Sequence, residues 1–285
     1  MSLTKRIDFA IIISVKNANP NGDPLNGNRP RTNYDGLGEI SDVCIKRKIR
    51  NRLLDAGEAI LVQSDDYRND DCRSIKDRYD SNERIKALGK NPSSNSISSA
   101  ACAEWFDVRA FGQVFAFKNE KKQSNENDES ETGVSISVRG PVSIQSAFSI
   151  EPVDVSSLQI TKSVNLVTNK KNPSQKSGDT MGMKHRVDHG VYVTFGSISR
   201  QLAEKTGFSD EDVEKLKAAM CHMFENDESS ARPGGSMEVL KVIWWTHVGE
   251  VLASAKVHRS LTVNPDGTYI LAALDGVVAE EFDGR

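Results

Sequence analysis

The segment Lys5–Lys16 (KRIDFAIIISVK) constrains this chain more than any other. Phe9–Ile13 is an unbroken apolar run rich in β-branched side chains, bounded by Asp8 and Ser14. Such a run reads as a buried central strand, and it is far short of the roughly 20 apolar residues that cross a bilayer. Asn17–Gly38 (NANPNGDPLNGNRPRTNYDGLG) follows, packed with residues that punctuate helices and strands alike. A loop of that length inside a compact domain is usually functional. Ile40–Gly57 then carries helix signals, with Ser41 or Asp42 as cap and Gly57 as stop. At about 100° per residue, Ile45, Ile49, Leu53 and Ala56 form one stripe. Strand, long loop and amphipathic helix open an α/β sandwich.

The 285 residues fit one large domain with insertions, or two small ones, with no need of disulfides or metals. Asp65–Lys90 is polar and charge-mixed, Ser96–Phe117 predicts a helix and a turn at Gly112, and Lys118–Thr132 is low-complexity and is assigned no fold. Gly133–Val155 predicts two strands about Gly140-Pro141, and Val191–Ile198 predicts another. Ser156–Gly190 between them has no clean period. Ser209–Phe224 predicts a helix capped by Ser209, and Val239–His247 a strand; Val251–Arg259 and Thr268–Leu271 are expected to add strands or edges. Strand, helix, strand, strand, helix, strand is the ferredoxin-like order shared by RRM domains, so the expected class is α+β.

The net charge of −3 argues mildly against a nucleic-acid binder, but its distribution matters more. Ser41–Arg52 holds five cations against Asp42, and Ile160–Gly190 six against Asp179 and Asp188. Ala203–Glu228 holds eight acids against three lysines. Such segregation suits a chain that binds a polyanion and touches basic partners. Cys44, Cys72, Cys102 and Cys221 lie apart with no C-x-x-C pair, and no secretory leader pattern is visible, so a reducing cytoplasm is the expected home. His185 and His189 are spaced for a metal on a helix but sit in what reads as a Gly-rich loop, so neither metal nor cofactor is expected.

Gly22-Asp-Pro-Leu-Asn-Gly27 has phosphate-loop spacing, yet Asn28 stands where that motif needs Lys. Asp23 could act as a base in RNA cleavage, but with no evident partner it reads better as a turn residue. Lys46 and Arg50 repel at i, i+4, a tension that a bridging phosphate would relieve; a solvated face explains the helix equally well. Trp105, Trp244 and Trp245 are stacking candidates in apolar surroundings, for which one core-facing Trp and one on the far face is the plainer account. The aromatic stacking signature of sequence-reading RRM domains is not visible.

NPNGDPLNGNRPR and ISDVCIKRKIRNRLLDAG, taken together, resemble the backbone subunit of type I CRISPR surveillance complexes, a RAMP-superfamily branch, with type I-C nearest. WFDVRAFGQVFAF, VRGPVSIQ, MGMKHRVDHGVYVTFG and SSARPGGSM extend the likeness over nearly the whole chain. The resemblance implies one modified RRM-like palm over 1–285, a helical insertion (65–132), a thumb hairpin (156–190), and an acidic helix with a Gly-rich loop (203–236). It implies RNA contacts from Lys46, Arg47 and Arg50 on the first helix, and from Asn19, Asn21, Arg29 and Arg31 in the loop before it. Lys162, Met181, Met183, Lys184, His185 and Arg186 would belong to the thumb, and Arg232 and Met237 to the later loop. The implied role is a non-catalytic scaffold that polymerises head to tail along CRISPR RNA. The guide's bases then remain free to pair with target DNA. Implied partners are copies of itself and the 5′-handle-binding, large and small subunits, with no membrane. The alternative is metal-assisted RNA cleavage, since type III relatives cut from an Asp in the equivalent loop, near Asp23 here.

Overall fold

The apolar run becomes β1 (Ile7–Ala18), the middle strand of the protein's main sheet. A computed structural model describes residues 2–89, 91–116, 135–161 and 181–285. Among these residues the loop after β1 contains the two-residue strands β2 (Gly22–Asp23) and β3 (Arg29–Pro30), and ends in β4 (Leu37–Ile40). Helix α1 (Asp42–Asp55) follows, with the Ser41 hydroxyl accepting from Cys44 N; Ile45, Ile49 and Leu53 form the predicted buried stripe, whereas Ala56 is the exposed C-cap. Helices α2 (Ile75–Ser81), α3 (Glu83–Lys86), α4 (Ser94–Glu104) and α5 (Phe106–Phe111) come next. Strands β5 (Gly112–Ala116), β6 (Ser135–Arg139), β7 (Val142–Ile144), β8 (Ala147–Pro152), β9 (Val155–Thr161) and β10 (Met181–Ile198) lead to helices α6 (Arg200–Thr206) and α7 (Asp210–Cys221). The chain closes through β11 (Met237–His247), α8 (Ser254–His258), β12 (Leu261–Val263), β13 (Tyr269–Leu271) and β14 (Val277–Asp283).

The main sheet runs β14-β11-β1-β10-β8-β4, all antiparallel, and β7 and β9 also pair along β10. Strand alternation sends Phe9, Ile11, Ile13 and Val15 to one face, where α1 and α7 cover them. Ala10 faces the other way and packs with Ile243, Trp245, Val257 and Leu261 beneath α8 and β12. Both faces are covered, which is why β1 tolerates a continuous apolar run. Helices α2–α5 and the β5–β6 pair enclose a separate cluster around Leu61, Ile97, Trp105, Phe115 and Val138. No helix among the described residues is long and apolar enough to cross a membrane.

Two sequence expectations change. Ser254–His258, expected as strand or edge, is helical: its Val257 packs on the far face of the sheet, Ser254 and His258 reach the buried Asp8, and Ala255 and Lys256 meet solvent. Most of Ser156–Gly190 that is described is strand, and the expected strand at Val191 already begins at Met181. The low-complexity stretch Lys118–Thr132 lies outside the described residues.

Candidate nucleic-acid interface

At the C-terminal end of β1 the loop residues build one another. Asn17 turns the chain with φ 55°. Asn19 is buried; its backbone N–H donates to Ala231 O (2.9 Å) and its side-chain amide to Asn28 O (2.7 Å). Asn21 Oδ1 accepts from both Ser41 N (2.9 Å) and Ser41 Oγ (2.8 Å), fastening the loop to the start of α1. Asn19 and Asn21, expected beside RNA, therefore spend most of their hydrogen bonds shaping the loop. Lys16 N donates to Ser236 O (2.8 Å), which brings the later Gly-rich loop alongside.

Asp23 caps the 3₁₀ turn Pro24–Asn26, accepting from Leu25 N (3.2 Å), and lies 3.5 Å from Arg31. Gly27 ends that turn at φ 58°, a conformation that favours glycine, so the G-x-x-x-x-G spacing here serves a turn. The structure thus gives Asp23 a local backbone role and a cationic neighbour.

Each cation of α1 already has a carboxylate. Lys46 pairs with Asp42 (3.0 Å), Arg47 with Asp66 (3.0 Å), and Arg52 with Asp55 and Glu225 (2.7 and 3.2 Å). Lys48 is buried, 4 % exposed, and pairs with Asp227; burial pushes its ammonium pKa down. Arg50 donates to Asp107 (2.9 Å), whose carboxylate is 1 % exposed and also accepts from Leu61 N and Val62 N. The Lys46–Arg50 repulsion is therefore relieved by Asp42 and Asp107, within the chain, and no phosphate is needed to explain it. Arg50 ties α1 to the α2–α5 module, whereas Lys46 and Arg47 keep partners at the solvent boundary. Arg232 meets Lys48 on the same Asp227 (2.9 Å). Met237 is a core residue, 8 % exposed, so its side chain is closed to RNA.

The β9–β10 hairpin carries the remaining residues. Arg29 donates to Ser157 Oγ (2.9 Å), which bonds His185 Nδ1 (2.8 Å), so loop and hairpin are stitched together. Met183 lies opposite Gln159 and Met181 opposite Thr161, with the two thioethers 56 % and 66 % exposed. Leu158 and Ile160 are exposed as well, opposite Lys184 and Gly182. Arg186 holds Asp188 (3.3 Å), to which Ser156 also donates (2.6 Å). Lys162 lies outside the described residues. His185 and His189, read as lying in a Gly-rich loop, share strand β10. Side chains on both faces of the outer hairpin are exposed, so it lacks the alternation that marks a half-buried strand, and this is why sequence reading missed it.

Trp105, Trp244 and Trp245 are all buried, which removes them as stacking residues; Trp244 and Trp245 occupy opposite faces of the sheet, and Trp244 stacks on Phe9 at 5.5 Å. The most exposed aromatic among the described residues is instead Tyr34, which sequence reading passed over. Its signal was a Tyr within the turn-forming string Asn33-Tyr-Asp-Gly36.

The chain is a mixed α/β protein built on one central antiparallel sheet, with a polar, cation-bearing loop and hairpin at one end. It belongs to the CRISPR-associated protein Cas7 family, whose model matches residues 5–275. A "CRISPR-associated protein Cas7" from Haloferax volcanii is 27 % identical over 237 residues, covering 81 % of this chain and 67 % of the relative. A solved chain of a "CRISPR RNA-guided surveillance complex, pre-nicking" superposes with TM-score 0.49 at 12 % identity, covering 88 % of this chain and 81 % of its own. A second, from a "CRISPR RNA-guided surveillance complex", gives TM-score 0.44 at 16 % identity, covering 95 % and 77 %.

Proposed function

We propose that this chain is a non-catalytic scaffold that grips a CRISPR RNA by its backbone and polymerises head to tail along it, presenting the guide for pairing with target DNA. Membership of the Cas7 family supports a CRISPR role, and the resemblance carried by the N-terminal loop and first helix supplies the RNA. The observation that carries the reading is the Arg29–Ser157–His185 chain of hydrogen bonds. It joins the N-terminal loop to a two-stranded blade whose outer residues, Met181 and Met183 among them, are left uncovered. Cations grip phosphate without reading sequence, and exposed thioethers suit a wedge beside an unstacked base.

In this reading β1, β8, β10 and β11 with α1 and α7 form the RRM-like palm, supported by the order β11-β1-β10-β8. The β9–β10 hairpin is the thumb, α2–α5 the helical insertion, and type I-C the branch. The RNA-facing set is Arg29, Arg31, Lys46, Arg47, Met181, Met183, Lys184, His185 and Arg186, and Lys162 is expected to join it. Asn19, Asn21, Arg50 and Arg232 shape the surface that these present. Partners are further copies, the 5′-handle-binding, large and small subunits, and the setting is cytoplasmic. Asp23 serves its turn and cleaves nothing.

Lys46 and Arg47 test the reading, because their partners are solvent-facing and the fold does not rest on them. Replacing both by Ala should weaken single-stranded RNA binding for every sequence tried. It should also reduce the salt slope of log K by about 1.4, the share of two phosphate contacts at about 0.7 each. An unchanged slope would return α1 to an ordinary solvated face.

A further inference from the structure

We infer that Tyr34 is a base-stacking platform in this interface, a deepening that rests on the RNA-scaffold reading. Tyr34 is fully exposed; Phe148, at 38 %, is the next most exposed aromatic among the described residues. The turn beneath it is nevertheless rigidly built. Asn33 N donates to Leu37 O (2.9 Å), and Asn33 Oδ1 accepts from Asp35 N and Leu37 N (2.9 Å each). Gly36 N closes the turn on Asn33 O (3.2 Å). Gly38 follows against the buried Tyr192, whose Oη would lie 2.2 Å from any added Cβ. An aromatic ring held in water on an ordered turn costs little conformational entropy when it meets a partner.

Position and surroundings identify that partner. Gly36 O accepts from Val153 N (3.1 Å), so the Tyr34 turn rests at the root of the β9–β10 hairpin. Arg29 is held four residues further on at Ser157, and Met183 faces Gln159 two residues beyond that. Val153, Ser157 and Gln159 follow one another along the chain, with Ser157 and Gln159 about 7 Å apart within β9, so ring anchor, cation and thioether come in that order beside it. A linear track of cation and π-face is what a single strand of nucleic acid requires. The flanking Asn33 and Asp35 are polar, so the ring stands alone rather than within an apolar patch. A protein hot spot sits instead in a packed, water-excluding surround.

The test compares wild type with Tyr34→Ala, Tyr34→Phe and Tyr34→Trp on a fluorescein-labelled single-stranded RNA and on an abasic version of it. Tyr34→Ala should bind normal RNA about tenfold more weakly, within the range of base–aromatic stacking. Its salt slope should be unchanged, its affinity for abasic RNA should equal wild type, and Phe and Trp should retain wild-type binding. Full affinity in Tyr34→Ala, or an equal loss on both RNAs, would overturn stacking. So would normal affinity for RNA long enough for only one copy combined with defective multi-copy assembly, which would assign the ring to a neighbouring protein. If Lys46 and Arg47 keep their two-phosphate slope while Tyr34→Ala is silent, the scaffold reading stands and only the stacking inference falls. With no loss in either variant set, the scaffold reading falls as well.

Discussion

Asp8 shows how one side chain can hold two layers together. It is fully buried at the start of β1, bonded to His247 Nε2 (2.7 Å) and Ser254 Oγ, with His258 at 3.4 Å and the Arg6 guanidinium at 3.6 Å. Burial alone would raise its pKa, but the hydrogen bonds from His258, Ser254 and His247, aided by the charge of Arg6, hold it down at about 2. Ser254 and His258 begin and end α8, so this carboxylate pins α8 to the far face of the sheet. A folded-state pKa below the ordinary 3.8 stabilises the fold fully above that value, and the stabilisation disappears as pH falls toward 2. Wild type should therefore lose about 2 kcal/mol more than Asp8→Asn between pH 5 and pH 2 in chemical denaturation. Parallel pH profiles for the two proteins would deny Asp8 this role.

Among the elements, the β9–β10 hairpin divides into a root and a blade. At the root, Val187 is fully buried opposite Ala18, and His189 and Gly190 pair with Lys16 and Val15. In the blade Leu158, Ile160, Met181 and Met183 are exposed and have only each other's strand as backbone partner. Replacing residues 158–184 with a short Gly/Ser connection should keep the melting temperature within about 2 °C of wild type, since the described apolar residues of that stretch, Leu158, Ile160, Met181 and Met183, are exposed. In target-bound complexes the same deletion should erase periodic chemical reactivity along the guide. Extending the cut through Gly190 removes ladder partners of the central strand and should cost at least about 2 kcal/mol. Equal stability of the two deletions would show that the division is misplaced. The long and short cuts differ because β10 starts at Met181, ten residues before its apolar half becomes legible in sequence.

For the whole molecule, the proposed role requires heterologous contacts that do not close, giving an open filament along RNA. Sedimentation of the full-length protein on RNAs of increasing length should show mass rising in steps of one chain, with the RNA recovered at full length after incubation with Mg²⁺ or Mn²⁺. A fixed stoichiometry on long RNA would exclude the filament, and cleavage lost in Asp23→Ala would restore the endonuclease alternative. The sequence alone determined the elements whose physics is local. The β-branched run of β1 was readable because both faces of that strand are covered, and α1 and α7 because their apolar stripes and serine caps repeat at helical spacing. The resemblance carried by the N-terminal loop and first helix named the family before any coordinates. Tertiary structure alone decided which cations are neutralised from far along the chain. Asp42 lies on α1's own first turn, but Asp107 and Asp227 come from 57 and 179 residues downstream to neutralise Arg50 and Lys48. It also decided that Met237 is core, that Ser254–His258 is helix and that Tyr34 stands clear of the surface. Each depends on groups remote in sequence meeting in space, and a window of neighbouring residues does not contain that information.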